Sequence, residues 1–166
     1  MNNIYCKYEW ELGSMYIILN SDGILRLDLN EDNFEEYKLN TCDLIYDKYL
    51  CKKVIEELDE YFKGVRKQFT IPLSISGTMF QKMVWNELAN IPYGETRSYG
   101  EIARNIGKPK GAQAIGQANK VNKIPIFIPC HRVISKDGNI GGYMGKTRGD
   151  EVNIKQFLLS LERKHK

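Results

Sequence analysis

Residues 98–121, SYGEIARNIGKPKGAQAIGQANKV, predict two short helices joined by a turn. The first helix begins with a capping box, in which the side chains of Ser98 and Glu101 each accept the other residue's backbone N–H. It ends at the GKP of residues 107–109, because the residue before a proline is disfavoured in the helical region. The second helix covers residues 111–121. Two short helices joined by a tight turn are typical of a helix-turn-helix, whose second helix faces DNA.

The predicted second helix carries unusually small side chains, since Ala112, Ala114, Gly116 and Ala118 occupy four of its positions. Small residues let a helix backbone approach closely, which suits the narrow minor groove better than a major-groove reader rich in Arg and Asn. Binding without sequence preference would follow. Alternatively, the same residues allow tight packing against a neighbouring helix, and the sequence leaves these two interpretations open.

Another capping box precedes this pair of helices. Thr78 and Gln81 have the required spacing, and Val84 and Leu88 follow at helical spacing. We therefore predict a helix of about three turns that ends before Pro92. The second half of the chain is thus mostly helical.

The first half of the chain has a strand pattern followed by a helix pattern. Apolar residues flank the SDG of residues 21–23, where the glycine tolerates a positive φ, so a β-hairpin is predicted. Apolar residues then recur at helical spacing from about Asp43 to Phe62, and Gly64 offers a C-terminal cap. This pattern predicts an amphipathic helix.

The segment that follows, GVRKQFTIPLSISG at residues 64–77, is punctuated by glycine, proline and serine and places a domain boundary near residue 76. We predict an α+β fold. An N-terminal α/β domain of a sheet plus a helix covers residues 1–76. A mostly helical C-terminal domain with the helix-turn-helix covers residues 77–166.

Charge is distributed unevenly along a chain of 166 residues that is hydrophobic enough, at 42%, to bury a core. The net charge of +3 combines −5 over residues 1–76, +7 over residues 77–149 and +1 over residues 150–166. A basic second half is expected of a protein that places one face against a polyanion. A solvated charged face is the plainer alternative.

The cysteines give no sign of a metal or disulfide framework. The four cysteines are Cys6, Cys42, Cys51 and Cys130, and no two of them form a CxxC pair. The sequence contains only two histidines that could complete a metal site, His131 and His165. We interpret the first three cysteines as small hydrophobic side chains. The N-terminal residues have no basic stretch followed by an apolar run, and eighteen consecutive apolar residues occur nowhere. We expect a cytosolic protein without a membrane span or a cofactor.

One cysteine stands in a reactive setting. Cys130 follows an apolar segment and Pro129, and His131 and Arg132 come directly after it. A thiol with an ordinary pKa of about 8.5 needs a nearby imidazole or cation to form thiolate at neutral pH. Pro129 favours a turn over an extended strand, in which neighbouring side chains would point to opposite faces. Taken alone, the pair also fits a buried structural cysteine beside a surface histidine.

The motif PCHRVI at residues 129–134 resembles the signature of the O6-alkylguanine-DNA alkyltransferases, as does the preceding Asn122. The resemblance extends to three further motifs: IPYGETRSYGEIA at residues 91–103, GKP at residues 107–109, and Gly142-Tyr143. It covers about residues 78–162. The N-terminal half matches this family only in general character. The resemblance implies direct-reversal DNA repair, in which one alkyl group is transferred once from O6-alkylguanine to the protein.

The resemblance also implies catalytic roles. Cys130 would accept the alkyl group, His131 would act through a water molecule to keep the cysteine deprotonated, and Glu162 would orient the imidazole. Asn122 would brace the turn before the active-site segment. Tyr99 would press on the target phosphate and donate its hydroxyl to the departing guanine.

DNA contacts and a substrate pocket follow from the same resemblance. The target base would be flipped out of the duplex, and backbone groups from Cys130 to Val133 would read its edge. The expected partner is double-stranded DNA that contains O6-alkylguanine, bound through the minor groove by a monomer. Residues expected to contact DNA are Tyr99, Gln113, Ala112, Gly116, Gln117 and Arg132. Residues expected to line the pocket are Val133, Tyr143 and Met144.

Two departures from the family pattern lead to predictions. Gln113 stands fourteen residues after Tyr99, where the family has an arginine that fills the gap left by the flipped base, so we expect a weaker hold on the flipped state. Met144 and Lys146 replace small residues in the loop that lines the alkyl pocket. We expect methyl transfer to be retained and large adducts such as benzyl to be disfavoured.

Two other functions compete with this prediction. The first is a lesion sensor of the alkyltransferase-like type, which binds O6-alkylguanine without chemistry. Proteins of that type lack the acceptor cysteine, whereas Cys130 is present here with His131 and Glu162. The second is a cysteine peptidase or acyltransferase, whose oxyanion hole and distant histidine are not visible in the sequence.

Overall fold

The computed structural model describes residues 2–166, which divide into a first compact unit that ends at Ile75 and a second, Ser76–Lys166. The first unit contains a four-stranded sheet and two helices, and the second is mostly helical. This agrees with the predicted α+β class. Within residues 2–166, no helix is both long enough and apolar enough to cross a bilayer.

The sheet of the first unit is built from two consecutive hairpins. Its strands, in the spatial order β3-β2-β1-β4, are β1 (Ile4–Trp10), β2 (Gly13–Asn20), β3 (Gly23–Asp28) and β4 (Ile45–Tyr46). The three longer strands are antiparallel, and β4 pairs in parallel with β1. The predicted hairpin is the β2–β3 pair. Gly23 has a φ of +138°, and a Cβ there would lie 2.1 Å from the carbonyl oxygen of Pro72, so the position requires glycine.

The predicted helix of the first unit is shorter than expected. α2 (Lys52–Phe62) begins about nine residues later than Asp43, because Ile45–Tyr46 pairs with β1 instead of joining the helix. The Asp47 side chain then accepts the backbone N–H groups of the next turn, at 2.9 Å and 3.0 Å, which favours a turn over a helix. Gly64, with a φ of +75°, ends the helix as predicted.

One helix was not anticipated. α1 (Glu31–Leu39) is capped by the Asn30 side chain, which accepts the Asn33 N–H, and it buries only Phe34. Phe34 stacks on Tyr16 of the sheet with ring centroids 4.2 Å apart. A helix with a single buried side chain has almost no apolar periodicity, so the pattern that predicts helices is absent there.

The second unit follows the predicted helices closely. Its elements are α3 (Met79–Ala89), β5 (Arg97–Ser98), α4 (Tyr99–Asn105), α5 (Ala112–Lys120), β6 (Val133–Ile134) and α6 (Asp150–Lys164). Both capping boxes are formed, at Thr78 with Gln81 and at Ser98 with Glu101. The short strands β5 and β6 pair in parallel and thereby hold the start of α4 beside the segment that follows Cys130.

Helices α3, α4 and α5 pack around a common core. Ile102 of α4 and Ile115 of α5 are fully buried, and the Trp85 indole of α3 donates a 3.0 Å hydrogen bond to the Ala118 carbonyl of α5. This core fixes one face of α5. The opposite face of α5 lines a cavity.

Candidate active site

The segment before the reactive cysteine is held by one buried amide. Asn122 lies just after α5, and its Oδ1 accepts the Ile124 N–H at 3.0 Å while its Nδ2 donates to the Ile128 carbonyl at 3.0 Å. Between these contacts the buried Ile126 adopts a φ of +73°, a conformation that branched residues rarely take. Asn122 therefore stabilises a sharply bent segment that a free chain would not adopt.

Cys130 begins a single turn of 3₁₀ helix, Cys130–Arg132, so the predicted turn is formed. The side chain is 3% exposed, and Asn122 Nδ2 lies 3.2 Å from its sulfur. Burial raises the pKa of the Cys130 thiol, while the Asn122 hydrogen bond and the charge of Lys155 oppose that rise. Burial outweighs these two effects, so the pKa of Cys130 lies above its ordinary value.

His131 is completely buried and points away from solvent. Its Nε2 lies 2.8 Å from Glu162 Oε1, and its Nδ1 has no hydrogen-bond partner among the described residues. Burial lowers the pKa of His131 in spite of the neighbouring carboxylate. A neutral imidazole is able to accept a proton, so this side chain is poised as a base.

Glu162 is the centre of a buried charge cluster. Arg132 donates to it twice, through Nε at 2.9 Å and through a terminal nitrogen at 2.8 Å, and also donates to the Ile91 carbonyl at 2.8 Å. Burial opposes ionisation of Glu162, but His131 and Arg132 outweigh it and hold its pKa well below the ordinary value. The carboxylate is thus ionised and fixed in orientation.

This cluster changes the role of Arg132. We expected it to contact DNA, but its side chain is 7% exposed and its guanidinium is engaged with Glu162 and Ile91 inside the protein. A phosphate contact would require breaking a two-pronged buried ion pair, which is strongly destabilising. Arg132 instead positions Glu162, and through it His131.

Lys155 is a site residue that the sequence reasoning missed. It is fully buried, and its Nζ donates to the Val133 carbonyl at 2.6 Å and to the Gly142 carbonyl at 2.9 Å. Burial lowers its pKa to about 8, and the nearby Cys130 works in the opposite direction. A signal was present in the sequence, since Lys155 and Glu162 are seven residues apart and so fall on the same face of α6 as its apolar residues.

Cys130 lines a cavity of about 390 Å³ that opens between α5 and the loop before α6. Tyr99, Tyr143 and Met144, all predicted site residues, line it as well. Burial and the neighbouring cysteine raise the pKa of Tyr99, and they raise that of Tyr143 well above its usual range. Both hydroxyls are therefore protonated donors at neutral pH. Val133 is buried nearby, but its side chain is not part of the described lining.

Helix α5 forms the other wall of the cavity, through the predicted Ala112, Gln113, Gly116 and Gln117. Of its small residues, only Ala118 is buried, whereas Ala114 is exposed. A Cβ on Gly116 would approach nothing closer than the Tyr99 ring at 3.9 Å. Packing inside the protein therefore explains the small side chain of Ala118. It does not explain the small residues on the outer face of α5.

No cluster of three His, Cys, Asp or Glu side chains suited to a metal ion occurs in residues 2–166. All four cysteines are free thiols; Cys6 and Cys51 are buried like Cys130, and Cys42 is exposed.

The fold and the site together define a class: a two-unit α+β protein with a buried cysteine that lines a cavity with helix α5, and with a buried histidine–glutamate pair that starts at the next residue. The sequence pattern of the 6-O-methylguanine DNA methyltransferase DNA binding domain matches residues 79–164, and that of the ribonuclease-like domain of the same proteins matches residues 3–75. The chain belongs to the 6-O-methylguanine DNA methyltransferase family.

Individual relatives match over nearly their whole length. The chain is 50% identical to the methylated-DNA--protein-cysteine methyltransferase of Methanosarcina acetivorans over 95% of this chain and 97% of that one. It is 43% identical to the constitutive enzyme of that name from Bacillus subtilis, over 97% and 96%. The crystal structure of Mycobacterium tuberculosis OGT in complex with DNA superimposes with a TM-score of 0.85 at 36% identity, over 98% and 94%.

Proposed function

We propose that this protein repairs DNA directly by transferring the alkyl group of O6-alkylguanine, once and irreversibly, to Cys130. The observation that carries the proposal is the position of Cys130, which lines a cavity together with α5 and is followed in the same 3₁₀ turn by His131, a buried residue paired with Glu162. Its relatives are named for methyl transfer from DNA to a protein cysteine.

The first step is removal of the Cys130 proton. Glu162 is ionised, so the Nε2 of His131 carries a proton and donates it toward the carboxylate, which leaves the Nδ1 lone pair free to accept. A water molecule between the thiol and Nδ1 relays the proton to the imidazole. The resulting imidazolium is stabilised by Glu162, in the same division of labour as a hydrolytic triad. Lys155 supplies the positive charge that favours the thiolate.

The second step is in-line attack on the alkyl carbon. The sulfur forms a C–S bond as the C–O bond to guanine breaks, and the bonding electrons leave on the purine. Tyr99, whose hydroxyl is protonated, transfers its proton to the purine as the charge develops there, and the proton that His131 accepted in the first step returns through water to the Tyr99 oxygen. The products are S-alkylcysteine and guanine, which returns to the duplex. Because a thioether does not hydrolyse at a useful rate, each protein molecule repairs one lesion.

The DNA surface in this proposal is the outer face of α5, which acts as the second helix of a helix-turn-helix with α4. Gln113 and Gln117 are exposed on that face, and the small residues between them let the helix approach the minor groove. Residues 77–149 have a net charge of +7, which suits a phosphate backbone. The target base is flipped into the cavity, since an attack on O6 cannot occur inside the stack.

The proposal includes the organisation and location of the protein. We take the two compact units as the two predicted domains, 1–76 and 77–166, with the chemistry confined to the second. We further propose a monomer in the cytosol, where a reducing environment suits a protein with four free thiols.

The experiment that tests the function is a stoichiometry measurement. Duplex carrying labelled O6-methylguanine is incubated with a limiting amount of protein, and label transferred to protein is followed to completion. We expect one label per protein molecule and no further turnover. Continued turnover, or label loss from DNA without transfer to protein, would contradict the proposal.

A further inference from the structure

Two exposed lysines from different elements line the cavity that contains Cys130. Lys120 is the last residue of α5, and Lys146 lies in the loop before α6. None of the described residues that line the cavity is an Asp or a Glu. The cavity wall therefore carries two positive charges and no negative one, and the mechanism proposed above uses neither lysine.

The backbone of a tight turn determines the side from which Lys146 projects. Tyr143 and Lys146 exchange two backbone hydrogen bonds, of 2.8 Å and 2.9 Å. The two residues between them, Met144 and Gly145, have φ values of +50° and +81°, as a two-residue hairpin turn requires. Side chains directly opposite in an antiparallel pair lie on the same face. The Tyr143 side chain is buried beside Cys130, so Lys146 leaves the turn on the cavity side.

Lys120 packs onto the same turn from α5. A Cβ on Gly145 would lie 3.0 Å from both Cγ and Cε of Lys120, so the lysine stem lies across the residue that precedes Lys146. Neither lysine takes part in the ion pairs of residues 2–166. Like charges that lie close together repel each other, so an anion bound beside both is favoured.

We propose that Lys146, together with Lys120, binds one of the two phosphates that flank the flipped nucleotide. A nucleotide whose base enters the cavity keeps its phosphates at the rim, because burying an unpaired charge is costly. Lysine binds phosphate as a point charge, which needs no base-specific geometry. The contact is made while the base is in the cavity, so it stabilises the flipped state over the stacked one. This inference rests on the proposed function and adds a positioning site to it.

The test removes the charge from each side of the contact in turn. Lys146→Gln removes it from the protein, and an uncharged methylphosphonate removes it from DNA, either 5′ or 3′ to O6-methylguanine. Second-order methyl-transfer rates are measured on both substituted duplexes and on the unsubstituted one. We expect Lys146→Gln to lower the rate on the unsubstituted duplex by about fivefold, the upper range for an exposed ion pair. One methylphosphonate should cost the unaltered protein a similar factor, and on that duplex the two proteins should differ by less than about twofold.

The comparison among duplexes uses one preparation of each protein, so partial unfolding of a variant cancels. Lys120→Gln should respond to the same methylphosphonate as Lys146→Gln. Lys82→Gln removes a charge from an exposed position of α3 outside the cavity lining, and any loss of rate should be equal on all three duplexes. An equal loss on all three duplexes for Lys146→Gln, or no loss on any, would overturn the inference. Failure of the proposed function is distinct, because then the unaltered protein would transfer methyl from none of the duplexes.

Discussion

Lys155 and Glu162, two turns apart on α6, reach the segment around Cys130 from the same buried helix face. Lys155 donates to the Val133 carbonyl at 2.6 Å, and Glu162 lies 2.8 Å from His131. One helix thus supplies both the cation that favours a thiolate and the anion that favours an imidazolium. Because Lys155 and Glu162 are two turns apart on one helix, they do not pair with each other. Lys155 is held near Cys130, and Glu162 is held beside His131.

Replacing Lys155 by methionine removes the charge and keeps most of the volume. We expect the pKa of Cys130 to rise further, because the lysine opposes the effect of burial. Methyl transfer at pH 7 should fall by about tenfold or more, as expected for loss of a close buried charge. The reactivity of Cys130 toward iodoacetamide, measured against pH, should shift to higher pH.

The difference in methyl-transfer rate between Lys155→Met and the unaltered protein should depend on pH. The pKa of Lys155 is lowered to about 8, so the unaltered protein itself loses the charge above that pH. The rates of Lys155→Met and of the unaltered protein should therefore converge as the pH rises above 8. A constant ratio from pH 6 to pH 10 would show that the lysine acts by its shape alone.

Glu162→Gln should destabilise the protein and alter its response to acid. The change leaves Arg132 buried without a counter-charge, and loss of one partner of a buried pair costs about 3–5 kcal/mol. The pKa of Glu162 is lower in the folded chain than its ordinary 4.5, so its stabilisation is complete above that pH and is lost as the pH falls below it.

Urea unfolding from pH 3 to pH 7 measures both effects. The variant should show a smaller loss of unfolding free energy between neutral and acid pH than the unaltered protein. Glu36→Gln, at an exposed position in the first unit, should change stability by no more than about 0.5 kcal/mol. Equal acid sensitivity in Glu162→Gln would mean that other carboxylates govern unfolding.

Gln113→Arg should increase the repair rate. A longer charged side chain at this exposed position of α5 can fill the gap left by a flipped base and pair with phosphate. We expect single-turnover methyl transfer at saturating protein to rise by roughly tenfold, which corresponds to relief of about 1.4 kcal/mol of the flipping penalty. Gln117→Arg adds the same charge one turn away. If Gln113→Arg and Gln117→Arg increased the rate equally, the added positive charge, and not the filling of the gap, would explain the increase.

Met144→Gly should widen the range of adducts accepted. Met144 lines the cavity beside Tyr143 and has a φ of +50°, which glycine adopts without strain. Transfer from O6-benzylguanine should rise at least several-fold while transfer from O6-methylguanine stays within about twofold, since only the larger group meets the side chain. An unchanged benzyl-to-methyl ratio would show that another part of the cavity limits adduct size.

The sequence correctly predicted those elements that are determined by residues close together in the chain. The capping boxes at Thr78 and Ser98 and the glycine of the β2–β3 turn are each determined within a few residues, and the structure contains all three. Pairing of Ile45 with Ile4 joins residues about forty positions apart, so no local pattern could show that the helix predicted from Asp43 begins later.

The candidate site shows the same limit. Sequence neighbours suggested that His131 and Arg132 both serve Cys130, but the 3₁₀ turn directs Arg132 to Glu162 instead. The cation that acts on the cysteine, Lys155, comes from a helix twenty-five residues away. The spacing along α6 places Lys155 on the buried face of the helix, but which group its side chain meets there depends on tertiary packing.

The most direct test of the account is the mass of the Cys130 peptide after reaction with O6-methylguanine duplex. We predict a gain of one methyl group on the peptide that contains Cys130 and no gain on those that contain Cys6, Cys42 or Cys51. Cys130→Ser should show no gain while still binding the lesion duplex. A folded, unaltered protein that binds this duplex and leaves Cys130 unmodified would contradict the account.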